Sequence, residues 1–210
     1  FGLRAQIGWG RTIMLSSEDA RKSCEQFYPS STGRTRVVHF GVHLDDEMFD
    51  VDPQKVRLRY GLPERYIYLP NQFWSHKNHR VVIESLALLP DANIVVATTG
   101  QGTDPRHPAL QEELRHLVCH FGLQEQFRFI GTVPYVEVIA LMRGATAVLN
   151  PSLFEGWSTT VEEARALGVP LFLSDIADHR EQMGEMAQYF QPDSPRALAT
   201  ILQAYGTMSQ

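Results

Sequence analysis

Residues 145–174, Ala-Thr-Ala-Val-Leu-Asn-Pro-Ser-Leu-Phe-Glu-Gly-Trp-Ser-Thr-Thr-Val-Glu-Glu-Ala-Arg-Ala-Leu-Gly-Val-Pro-Leu-Phe-Leu-Ser, decide the architecture of this chain. A continuous apolar run over 145–150 leads into a turn of small and polar residues. A helical stretch follows over 159–167, Gly168 stops it, and a second apolar run fills 170–174. Continuous rather than alternating apolar runs are expected of strands buried on both faces, and a strand–helix–strand connection this short places them parallel in one sheet. The turn carries two carboxylates, Glu155 and Glu163, and between them Gly156, Trp157, Ser158, Thr159 and Thr160 lie where backbone amides are free. A helix start presents unpaired N–H groups and the positive end of its dipole, so it favours a phosphate. Carboxylates repel that phosphate but accept hydrogen bonds from neutral hydroxyls. A nucleotide joined to a sugar needs both: amides for phosphates, carboxylates for hydroxyls.

The same alternation extends along the chain. Further strands are predicted at 37–40, 66–69, 93–98 and 127–130, with a weaker one at 188–190. Helices are predicted at 53–60, 77–89, 108–121, 135–143 and 195–205. Asp52 can cap a helix with Pro53 at its first position, and Gly61 and Gly122 follow helices where a left-handed residue costs least. The fold class is therefore α/β, a Rossmann-like parallel sheet with helices on both faces. Ligands of such sheets bind beyond the carboxyl ends of the strands, where the 151–158 turn lies.

Residues 1–35 read differently: a short strand at 12–15, a helix at 17–27 capped by Ser17, and a Pro/Ser/Thr/Gly linker over 28–36. One strand and one helix enclose no core, so this piece is expected to be the tail of a missing N-terminal domain, with 36–210 forming the domain proper. The chain opens on Phe1 without a signal-peptide pattern and reads as an excised piece of a longer protein. Within its 210 residues no run approaches the roughly 20 apolar positions of a membrane span. Its net charge of −5 argues against a nucleic-acid partner. The two cysteines, Cys24 and Cys119, read as separate buried thiols of a reducing compartment rather than a disulfide. His39 with His43, and His76 with His79, lack the carboxylate or cysteine that would complete a metal site.

Other residues gather at strand ends. Lys77 follows the 66–69 strand in Asn71-Gln72-Phe73-Trp74-Ser75-His76-Lys77-Asn78-His79. A lysine at a helix start meets the positive dipole end, a cost that a neighbouring diphosphate removes. Val133 and Pro134 form another strand-to-helix turn, whose backbone can read a base edge or merely start a helix. Gly100-Gln101-Gly102 lacks the third glycine of a dinucleotide fingerprint and reads as a flexible loop lining the cleft. Thr160 with Glu163, or Thr159 with Glu162, also fits a capping box, the structural alternative to a binding role.

Phe154-Glu155-Gly156-Trp157 followed by Glu162-Glu163-Ala164 resembles the Glu–seven residues–Glu motif of retaining, nucleotide-sugar-dependent group-1 glycosyltransferases of GT-B fold. Phe40-Gly41-Val42-His43, the 69–78 segment, Gly100-Gln101-Gly102 and Gly131-Thr132-Val133-Pro134 resemble further segments of that family, in its order. The resemblance covers about 36–190. It implies a nucleoside-diphosphate sugar as donor, no cofactor and no bound metal. Lys77 and the amides of Gly156 to Thr160 would hold the diphosphate, with Asn71 and Gln72 beside them. Glu163 would take the ribose, Glu155 the transferred sugar, and Val133-Pro134 the base. The family has an arginine five residues before the lysine; this chain has Gln72, which donates hydrogen bonds without charge. The resemblance further implies a cytoplasmic enzyme, with membrane association an option of the full-length protein. Its acceptor (a sugar, lipid or protein) and any peripheral membrane contact would belong mainly to the missing domain, leaving these residues to bind nucleotide without turnover. A sugar-nucleotide epimerase or phosphorylase of related fold, or a non-catalytic nucleotide-binding module, are the alternatives.

Overall fold

The computed structural model describes residues 3–89, 93–100 and 104–207. The chain begins with α1 (Leu3–Trp9), β1 (Ile13–Leu15), α2 (Glu18–Phe27) and β2 (Thr35–Val37). It continues through α3 (Pro53–Arg59), β3 (Ile67–Leu69), α4 (His79–Ala87), β4 (Val96–Thr99), α5 (Leu110–His120) and β5 (Phe127–Gly131). The remaining elements are α6 (Tyr135–Gly144), β6 (Ala147–Asn150), α7 (Thr159–Ala166), β7 (Leu171–Ser174), α8 (Ala177–Met183), β8 (Gln188–Phe190) and α9 (Pro195–Thr207).

β3 to β8 form one parallel sheet in the order β5-β4-β3-β6-β7-β8. Ile67 pairs with both Val96 and Ala147, so β3 lies between β4 and β6. Successive side chains of a strand point to opposite faces, and the two cores follow that alternation. Ile67 and Leu69 face one side with Val82 and Leu86 of α4, Leu114 of α5 and Leu198 of α9. Tyr66 and Tyr68 face the other with Val56 of α3, Leu141 of α6, Val161 of α7 and Met183 of α8. The Rossmann-like sheet with helices on both faces is thus observed.

Several local expectations change. The strand expected at 37–40 is β2 at Thr35–Val37, and it pairs with β1, Ile13 opposite Thr35, outside the main sheet. β1, α2 and β2 form their own parallel crossover unit, so the expected 28–36 linker holds a 3-10 turn at Pro29–Ser31 and part of a strand that runs across the 35/36 boundary. The helix expected from 77 starts at His79, because Asn78 takes the left-handed conformation (φ 53°) and separates it from a 3-10 turn at Ser75–Lys77. α8 has no strong periodic pattern and was not expected. Cys119 is exposed, on the outer side of α5, and Cys24 is half-buried, so neither is the buried thiol expected; both are free.

The N-terminal unit docks against α8 and the loop before α7. The Glu181 carboxylate accepts the Glu18 N–H at 2.9 Å, satisfying one of the free amides at the start of α2. Ser16 Oγ donates to the Gly156 carbonyl at 2.8 Å.

Candidate functional site

From β3 the chain adds β4 and β5 on one side; from β6 it adds β7 and β8 on the other. The topology switches between β3 and β6, the crevice where open α/β sheets bind ligands. The loops leaving these two strands meet there. Leu153 N–H donates to His76 O at 2.8 Å. Asn78 Nδ2 donates to the carbonyls of Pro151 (3.2 Å) and Pro192 (2.8 Å). Asparagine tolerates the left-handed backbone that this joint requires. Beneath, the buried side chains of Asn71 and Asn150 bond at 3.2 Å.

This crossing brings Lys77 Nζ to 2.6 Å from Glu155 Oε1, with the two side chains only 15% and 9% exposed. Ser152 Oγ lies 2.6 Å from the same oxygen and 2.7 Å from Asn150 Oδ1, so its single proton serves one acceptor at a time. Ser174 Oγ donates to Ser152 O, and His179 below it, held low in pKa by burial, contacts Ser174 O through Nδ1 at 2.9 Å.

Neither candidate capping box forms at α7. Ser158, in extended backbone, is the N-cap and accepts from Val161 N–H at 3.4 Å. Its own N–H is taken by Gln182 Oε1 at 3.1 Å, so the Ser158 amide is already committed. Glu162 accepts from Gln182 Nε2 and pairs with Arg165, while Glu163 accepts from Tyr135 Oη at 2.7 Å. Thr159 and Thr160 are the first-turn residues whose amides have no acceptor within the helix. Trp157 turns its buried ring toward the N-terminal unit: it stacks on His39 at 4.2 Å and donates to Phe40 O at 3.0 Å. His39 bonds in turn to Glu181 at 2.7 Å.

Gly100, after β4, passes so close behind the first loop that a Cβ there would lie 2.4 Å from Asn71 O. Its N–H donates to Gly131 O at 3.0 Å, tying this loop to the turn that holds Val133 and Pro134. Gln101 and Gly102 lie outside the described residues. Gln72 is exposed at the loop's rim, Val133 packs against the α6-side core, and Pro134 caps α6.

Glu163 is buried, and that burial raises its pKa; the Tyr135 hydrogen bond opposes the shift. Tyr135 was not among the expected site residues, although it follows Pro134 directly. The other unforeseen feature is a run of rings beside the ion pair: Trp74 against His76 at 5.6 Å, and His76 on Phe154 at 4.6 Å. His79 instead is buried against Phe73, where burial lowers its pKa to about 3. Among the described residues no group of three or more His, Cys, Asp or Glu side chains is placed to hold a metal. A cavity of about 400 Å³ opens at the opposite, amino edge of the sheet, lined by Tyr66, Val95 and Thr146 among others.

Compared with known proteins, residues 52–204 match the family model for glycosyl transferases group 1. The chain belongs to this family. A D-inositol 3-phosphate glycosyltransferase of Corynebacterium glutamicum (strain R) is 24% identical over 172 residues, covering 78% of this chain and 41% of the relative. The chain thus spans under half the length of that relative. A glycosyltransferase from Rickettsia africae superposes with a TM-score of 0.80 at 18% identity, over 95% of this chain and 54% of that one. Anabaena Alr3699/HepE, solved in complex with UDP-glucose, superposes with a TM-score of 0.78 at 15% identity, over 100% of this chain and 60% of that one. The fold is that of GT-B glycosyltransferases.

In this group 1 chain the β3 and β6 loops and α7 carry one cation, two carboxylates and two amides without an acceptor in the helix. A cation and helix-start amides attract a phosphate, while carboxylates accept from hydroxyls. The indole of Trp157 and the amide of Ser158 serve the loop's own structure. Among the described residues no helix is long and apolar enough to cross a membrane.

Proposed function

We propose that this chain is the donor-binding half of a retaining glycosyltransferase, which moves a sugar from a nucleoside-diphosphate sugar to an acceptor held mainly by a second domain. One observation carries the reading: the loops of β3 and β6 bring Lys77 and Glu155 together at 2.6 Å on the switch-point crevice. The complex of a structural relative with UDP-glucose supports the donor class.

Lys77 and the amides of Thr159 and Thr160 take the phosphates. When the diphosphate arrives, Lys77 exchanges its carboxylate partner for a phosphate oxygen, and Glu155 is freed to accept from hydroxyls of the transferred sugar. Glu163 accepts from the ribose, and the 131–134 turn meets the base. In the reaction the bond between the anomeric carbon and the phosphate oxygen breaks, its electron pair leaving with the diphosphate. The acceptor oxygen bonds to that carbon on the face the diphosphate left, and its proton goes to the departing phosphate. Preorganised positive charge at the leaving oxygens is the largest contribution this half can make.

Gln72, exposed and uncharged where the resemblance places an arginine, favours one second reading, a nucleotide-binding module without turnover. Gln72→Arg in the full-length protein separates the two: a gain in transfer supports the enzyme, whereas none in either variant supports the module. For the site itself the test is a thermal-shift titration of the 210-residue chain with UDP, GDP, ADP and CMP. A nucleotide at about 100 times its Kd stabilises by roughly 2.7 kcal/mol. No shift with any of the four sinks the reading. Turnover by this chain alone would overturn its assignment as half a site.

A further inference from the structure

Glu155 has a cation; Glu163, on the next turn of the same segment, has a phenol. Tyr135 is the first residue of α6, directly after Pro134, and the body of that helix is fixed by Ile139, Leu141 and Met142 in the core. The tyrosine therefore starts from a rigid base and reaches from the 131–134 turn to α7, where its hydroxyl lies 2.7 Å from Glu163 Oε1. Tyr135 remains 46% exposed while Glu163 is 8% exposed, so the tyrosine is the solvent-facing member of the pair.

A carboxylate accepts through two oxygens and about four lone pairs. One tyrosine donor uses one of these and biases the group toward one orientation. We propose that Tyr135 is a positioning residue of the nucleotide site: it fixes Oε1 of Glu163 and so presents Oε2 to the vicinal hydroxyls of a ribose. This rests on the reading of Glu163 as the ribose acceptor. The chemistry is consistent on the tyrosine side too. Burial and the Glu163 carboxylate both raise the Tyr135 pKa, so the phenol stays protonated and remains a donor. On the carboxylate side, the Tyr135 bond opposes the upward pull of burial and favours the ionised, accepting form. The titratable groups facing this pair are Tyr68 from β3, toward Glu163, and Asp45 from the loop before α3, toward Tyr135.

The experiment is calorimetric titration of UDP, GDP, ADP and CMP into the 210-residue chain, Tyr135→Phe, Glu163→Gln, Glu163→Ala and the double variant of Tyr135→Phe with Glu163→Ala, between pH 5 and pH 8. Tyr135→Phe keeps the ring and removes only the hydroxyl. At pH 7.5 it should weaken the best-binding nucleotide about tenfold, the loss of one charge-assisted hydrogen bond. Affinity should fall on acidification as Glu163 protonates, and in Tyr135→Phe that fall should move to higher pH. Adding Tyr135→Phe to Glu163→Ala, which removes the acceptor that the tyrosine fixes, should change affinity less than about twofold, because two groups acting as one unit are not additive. Unchanged or tighter binding by Tyr135→Phe, with Glu163→Gln weakened, overturns the proposal and leaves the ribose reading standing. A full tenfold loss persisting in the Glu163→Ala background also overturns it, since the tyrosine would then act on the nucleotide directly. If Glu163→Gln binds as the parent does, the ribose reading itself falls and the proposal with it.

Discussion

Glu155 and Glu163 belong to one continuous segment yet meet opposite surroundings. Glu155 lies in the loop after β6, with the full charge of Lys77 at 2.6 Å. Glu163 lies inside α7, with a neutral phenol at 2.7 Å and burial raising its pKa. Glu162, between them, is bound to Arg165 and Gln182 and holds α7 to α8. The difference bears on what each group can do. A carboxylate paired with a cation can release it when a stronger anion arrives, which in the proposed function suits the Lys77 end to exchange partners. A carboxylate held by a neutral donor keeps that donor and its remaining acceptor sites, which in the proposed function suits the Glu163 end to receive hydroxyls. The first end responds to charge, the second to hydrogen-bonding pattern.

The largest expected effect breaks the first end alone. In the full-length protein Lys77→Ala should lower transferase turnover about 10²–10³-fold, the usual cost of removing one group that stabilises a leaving charge. It should also destabilise the fold, by about 2 kcal/mol, below the 3–5 kcal/mol of a fully buried broken pair because both side chains retain some solvent. Lys77→Met with Glu155→Leu should restore much of the melting temperature and none of the turnover. Activity within tenfold of the parent in Lys77→Ala would remove the distinction drawn between the two ends.

Gly100→Ala should come next. Its methyl group would lie 2.4 Å from the Asn71 carbonyl, so the 70–78 loop must shift, at a cost of about 1–3 kcal/mol typical of overpacking. Because Lys77 is in that loop and Glu163 is not, nucleotide affinity should fall through the phosphates. Adenosine or uridine, which carry no phosphate, should bind the variant and the parent alike. A variant with parental melting temperature would show that the loop yields freely.

How much of this was legible depends on the range of the contact. Strands buried on both faces write continuous apolar runs, so β3, β4, β6 and β7 could be read from the sequence pattern, the edge strand β8 more weakly, and so could the positions of Lys77 and Glu155 at strand ends. Their meeting follows from β3 and β6 being neighbours, a pairing that apolar runs do not encode. Tyr135 on Glu163, Gln182 on Ser158 and His39 on Trp157 join elements far apart in sequence and leave no local periodic signal. α8 is seven residues long, too short for its period to register. Asn78, by contrast, carried a local signal, since asparagine is among the few side chains at ease with positive φ. It marks where the predicted helix had to break.

The smallest effect is the sharpest on the comparison, because one substitution should act in opposite directions at the two ends. Glu155→Gln removes the countercharge of Lys77 and should lower stability at pH 7 by about 1 kcal/mol, as expected for losing a largely buried ionic hydrogen bond. Glu163→Gln should raise it slightly. The sign follows from linkage. The Glu163 pKa is higher in the folded chain than its ordinary value of 4.5, so the folded state binds the proton more tightly than the unfolded one. Its contribution to stability is complete below pH 4.5 and is lost as pH rises through the folded pKa, leaving a penalty at neutral pH. Glutamine carries no such penalty, so the Glu163→Gln advantage in melting temperature should be present at pH 7 and shrink to nothing below pH 4.5. Tyr135 can still donate to the glutamine carbonyl oxygen, which keeps the comparison to charge alone. A Glu163→Gln melting temperature below the parent by the same amount at every pH would mean that burial does not penalise this carboxylate, and the two ends would then differ in partner but not in energetics.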